Sequence, residues 1–161
     1  MCSYGLVLLL LAASAEIGWG ASRPAIHRPG IRQIVRDSAL IFAGTVLAVQ
    51  QDTDDANSPG TTSITFRVQE AVRGVHRGQT IKVREWAGLW QLGERYQPGE
   101  HVMLFLYPAS KLGLTSPVGG HAGRLQIDRR RRVSLDSGNE HLPRRIDVKS
   151  FATALRRSAR E

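Results

Sequence analysis

At 161 residues the chain has room for one domain with a core that buries most of its apolar surface. A hydrophobic content of 42% against 22% charged residues excludes wholesale disorder. The formal charge of +8 favours polyanions such as anionic lipid headgroups, polysaccharides or nucleic acid, and a single cysteine excludes a disulfide framework.

Residues 1–20 read as a secretory signal, because residues 6–13 form an apolar run too short to span a bilayer and small residues follow it. Cys2 leaves with that leader, and the mature chain then has no thiol, cysteine metal ligand or cysteine nucleophile. The expected location is secreted or periplasmic. No later segment is long and apolar enough to cross a membrane.

Residues 21–37 read as a linker followed by a short helix over 31–37, with Ile31, Ile34 and Val35 on one face, placed to plug one end of a barrel. The stretch 38–50 is the strand that the rest pairs with. It is apolar on both faces and is broken by Gly44, where a bend lets it pair with one neighbour before the break and another after it. Residues 51–60 make a hairpin loop whose Asp52, Asp54 and Asp55 lack the later glycine and glutamate of a calcium loop. Residues 61–70 alternate cleanly, with Ile64, Phe66 and Val68 inward, and 71–78 read as a turn. Residues 79–86 resume the alternation, with Ile81 and Val83 inward and Lys82 and Arg84 outward.

A long connection carries Trp86 and Trp90, which either cap the core or form a binding surface. Residues 102–107 are apolar on both faces and predict a central strand. After a loop over 108–123, strands are expected at 124–128 and 133–135, flanking an exposed basic patch of Arg129, Arg130, Arg131 and Arg132. Asp147 caps a final helix over 148–160, whose Val148, Phe151, Ala152 and Leu155 face the sheet. Together these elements predict a mainly β fold: a five-stranded OB-like barrel over 38–136, with the short helix before it and a loop and C-terminal helix over 137–161.

The segments SALIFAGTV (38–46), TFRVQEAVRG (65–74), YQPGEHVMLFL (96–106) and GGHAGRLQI (119–127) resemble those of small secreted bacterial proteins with an OB-type barrel. That barrel is similar to those of tissue inhibitors of metalloproteinases and netrin-like modules. Such inhibitors place a mature N-terminal cysteine on the protease zinc. A mature chain without cysteine departs from this mechanism, and inhibition through a substrate-like loop is what the resemblance leaves.

Catalytic signatures are lacking in the sequence. The five histidines show no metal-ligand spacing, and no Gly-x-Ser-x-Gly elbow occurs. The glycines around His121 are not followed by the Lys-Ser or Lys-Thr of a phosphate loop. Glu70, Glu85 and Glu100 lie near strand ends and read as solvated. No cofactor and no metal are expected.

The sequence therefore predicts a non-enzymatic binding module whose partner is a secreted or envelope protein, contacted through Lys82, Arg84, Trp86 and Trp90. The alternatives are a loop-acting protease inhibitor and a polyanion or single-stranded nucleic-acid binder. The last would use Arg67 with the same four residues and the arginine patch beside them.

Overall fold

The computed structural model describes residues 29–52, 60–91, 95–135 and 145–158. The expected leader, most of the linker, the aspartate-rich loop at 53–59 and the loop at 136–144 lie outside those residues. The described elements are α1 (Ile31–Asp37), β1 (Leu40–Asp52), β2 (Thr61–Arg73), β3 (Thr80–Trp86), α2 (Ala87–Gln91), β4 (His101–Leu106), β5 (Arg124–Gln126), β6 (Arg132–Ser134), β7 (Arg145–Asp147) and α3 (Val148–Ser158). Five strands form an antiparallel sheet in the order β3-β2-β1-β4-β5, and β6 pairs with β7 apart from it.

β1 is the central strand. It pairs with β2 along nearly its whole length and with β4 from Leu40 to Thr45. Register shifts against β2 fall on both sides of Gly44, where a Cβ would stand 2.7 Å from the Arg67 carbonyl oxygen. Only glycine fits that approach. The expected exchange of neighbours at Gly44 does not occur, because the bulges absorb the bend and keep β2 paired on both sides of it. What changes is the other edge: Val46 bonds to the turn at Gly99 and Glu100 where β4 has ended.

Both faces of the β1–β4 pair are buried, as their two-sided apolar sequences require. One face joins Phe42, Val46, Ile64, Phe66, Val83, Tyr96, Val102 and Leu104, with the Phe42 and Phe66 rings edge-on at 5.5 Å. The other joins Ile41, Ala43, Met103 and Phe105 to Ile34 and Val35 of α1, Val133 of β6 and Phe151 and Leu155 of α3. The short helix thus shares the outer face with α3 and does not plug a barrel end. Asp147 caps α3 as expected, its Oδ1 accepting the Ser150 amide at 2.9 Å.

The sheet is not closed into a barrel. Among the described residues β3 and β5 are unpaired edges. β5 is only three residues long, and after it Asp128 turns the chain into β6. The gap is crossed by the loop at 108–119, where Thr115 donates a single backbone hydrogen bond to the Arg84 carbonyl at 2.9 Å. The far end of that loop is held to β4, the Tyr107 amide donating to the Ser116 carbonyl at 3.0 Å and the Val118 amide to the Phe105 carbonyl at 2.8 Å, rather than added to β3 as a strand.

β2 also runs further than expected, through residues 71–73, because Arg73 is held by the Val35 and Ser38 carbonyls. The reversal comes at 74–79, with Gly74 and Gly78 at positive φ. Where β2 outruns β3, α3 covers it: Arg156 donates to the Ala71 carbonyl at 2.8 Å and pairs with Glu70 at 3.3 Å.

Candidate functional site

The alternation of β3 continues to its last residue. Val83 and Glu85 point inward, while Lys82, Arg84 and Trp86 stand in a row on the exposed face. In the ladder with β2, Trp86 lies opposite Thr61, Arg84 opposite Ser63, Lys82 opposite Thr65 and Thr80 opposite Arg67. Directly opposed residues share a face, so Arg67 joins the row from the neighbouring strand.

Trp86 is 50% exposed. Its ring lies over Gly88, where any Cβ would collide with it. Trp86 therefore does not cap the core. The backbone of Trp90 falls in α2, and its side chain lies outside the described set. Three of the four expected surface residues are thus brought together.

The arginine patch divides. Asp128 accepts the Arg130 and Arg132 amides, each at 2.9 Å, and pairs with the Arg132 guanidinium at 3.0 Å. The Arg132 backbone bond, aided by that side chain and its charge, holds the Asp128 carboxyl below its usual range against the opposing effect of desolvation. Arg131 sits at φ +58° and turns away from the other three. Its guanidinium reaches Gln69 Oε1 at 3.4 Å. There it enters a cleft of about 560 Å³ that Arg67, Arg77 and Lys149 also line, together with Glu70 and Asp147. The expected patch is therefore not one surface: only Arg131 faces this cleft.

A second cleft of similar size is lined by Arg95, Glu100, His101, Arg124 and Arg129. Its central cation is already engaged, since Arg124 pairs with Glu100 at 2.8 Å and lies 4.0 Å above the Tyr96 ring.

The strand-end glutamates differ from expectation. Glu85 is 2% exposed and accepts the Tyr96 hydroxyl at 3.0 Å, and Glu70 is 6% exposed against Arg156. Alternation in β3 carries Glu85 to the inner face, and α3, remote in sequence, covers Glu70. The three carboxylates take separate partners, Glu100 being held by Arg124, rather than forming an acid–base pair.

Among the described residues no three His, Cys, Asp or Glu side chains cluster to hold a metal. No described helix is long and apolar enough to cross a membrane. Comparison with models of protein families, with curated proteins and with solved structures finds no match to this chain.

Proposed function

We propose that the chain is a non-enzymatic binding module, secreted or held in the bacterial envelope, that meets its partner through the outer face of β3. The observation that carries this reading is the row of Lys82, Arg84 and half-exposed Trp86 on an edge strand. An aromatic ring flanked by cations, free of the core, supplies the apolar area and the charge that anchor an interface. The order β3-β2-β1-β4-β5 is also that of an OB-like barrel opened between its third and fifth strands, in keeping with the likeness to tissue inhibitors of metalloproteinases and netrin-like modules. OB barrels bind along their second and third strands.

The test is affinity capture from a secreted and envelope fraction at low and high salt, with the wild type and Trp86→Ala compared. One protein retained at high salt by the wild type and lost by Trp86→Ala, at unchanged melting temperature, supports the reading. Equal retention by both proteins overturns it, as does turnover of ester, glycoside or peptide substrates by the purified chain. Inhibition of secreted metalloproteases in a parallel panel would identify the captured partner as a protease.

A second reading, a polyanion or single-stranded nucleic-acid binder, is favoured by Arg67 on the same face. It predicts that capture consists of mixed polyanions which salt removes.

A further inference from the structure

The cleft beside Arg131 draws its cations from four separate places: Arg67 from β2, Arg77 from the β2–β3 turn, Arg131 from the β5–β6 turn and Lys149 from the first turn of α3. Like charges gathered this way repel one another unless something neutralises them. Among the described residues the side chains of Arg67, Arg77 and Lys149 have no hydrogen bond or ion pair, and the guanidinium of Arg131 has a long hydrogen bond to Gln69 and the attraction of the Asp147 carboxylate. Of the two carboxylates of the cleft, Glu70 pairs with Arg156, and Asp147 caps α3 while also attracting Arg131, so the four cations outnumber the charge that offsets them.

Arg131 adds a second, independent observation. It is the one described non-glycine residue with positive φ. That conformation costs about 1 kcal/mol for an ordinary side chain and nothing for glycine, so an arginine there holds its guanidinium toward the cleft at a cost to the turn.

We infer that this cleft is a binding site for a saccharide unit bearing phosphate or sulfate groups. Guanidinium groups meet such tetrahedral oxyanions through paired, charge-assisted hydrogen bonds. A volume of about 560 Å³ exceeds a lone phosphate and suits a sugar-sized ligand. Among the described residues the lining contains no aromatic ring on which a nucleobase would stack. The lining is instead cationic and polar, with Gln69 held between Arg131 and Thr45. The site shares Arg67 with the outer face of β2 and β3 but includes none of Lys82, Arg84 and Trp86.

The experiment is calorimetric titration of the full chain with fructose 1,6-bisphosphate, with a trisulfated heparin disaccharide and with inorganic pyrophosphate. Each is repeated on Arg131→Gly, Arg77→Ala and a control of equal charge loss, Arg32→Gln on α1. The expected result is saccharide binding tighter than pyrophosphate binding, weakened about tenfold or more by Arg131→Gly and Arg77→Ala and changed less than about twofold by Arg32→Gln. Whichever saccharide binds more tightly identifies phosphate or sulfate as the group recognised.

Because glycine adopts the Arg131 backbone without strain, Arg131→Gly melts no lower than the wild type, and its loss of binding is not a loss of folding. Absence of saccharide binding, equal weakening by Arg32→Gln, or unchanged binding by Arg131→Gly overturns the inference. Trp86→Ala leaves these affinities intact, which keeps this test separate from that of the β3 surface.

Discussion

Gly44 and Asp128 are single residues on which local geometry turns. A methyl at position 44 would meet the Arg67 carbonyl at 2.7 Å, and the obstacle is backbone, which cannot rotate away. Gly44→Ala is therefore expected to destabilise the fold by about 1–3 kcal/mol, measured as a lower urea midpoint at unchanged slope. A midpoint equal to wild type would show that β1 and β2 separate there without cost. Asp128 shows the opposite economy, one carboxylate holding two amides and a guanidinium. Its folded value lies below its unfolded one, so its stabilisation is present in full above roughly pH 4 and is lost as pH falls through the lowered value. Asp128→Asn is expected to flatten acid-induced destabilisation as the pH falls below about 4. A pH–stability curve parallel to wild type would remove Asp128 from that role.

At the scale of elements, β3 and α3 divide the work of covering β2. β3 takes its edge as far as Arg67, and α3 takes the part beyond through Arg156. Arg156→Ala strips the donor from Ala71 and leaves the Glu70 carboxylate, 6% exposed, without its cation. Because the arginine itself is one-third exposed and screened by water, the expected loss is moderate, about 1–2 kcal/mol. Chemical denaturation of Arg156→Ala alone and combined with Glu70→Gln would measure it. If the double variant is no more stable than the single one, the cost lies in the Ala71 carbonyl and not in the orphaned charge. The alternation of β3 was legible because its period of two is written in Ile81, Lys82, Val83 and Arg84. In the structure the same period runs two residues further and puts Glu85, expected to be solvated, inside and Trp86 outside. The second cleft, by contrast, is held together by Arg124 reaching back to Glu100, a pairing 24 residues apart that no local pattern announces.

At the scale of the whole molecule, the described residues form two apolar clusters, one on each face of the sheet, and both include residues of β1 and β4. Neither face can lose its packing while the shared strands keep theirs. Unfolding is expected as one transition with coincident far-ultraviolet dichroism and tryptophan fluorescence curves; separated midpoints would show that α1, α3 and the outer cluster open first. The sequence by itself determined the β class, the two-sided burial of β1 and β4, the α3 face with its Asp147 cap, and the outward placing of Lys82 and Arg84, while leaving Trp86 open between core and surface. These follow from periodicity and capping, which act over a few residues and leave a direct trace in the chain. Only the tertiary structure decided that the sheet stays open between β3 and β5, that α1 packs beside α3, that Glu70 is buried and that Arg67, Arg77, Arg131 and Lys149 face one cleft. Each of those depends on which distant segment arrives beside a residue, and an edge strand of three residues, a turn at positive φ and a helix laid over β2 fix that arrival through contacts that sequence spacing does not encode.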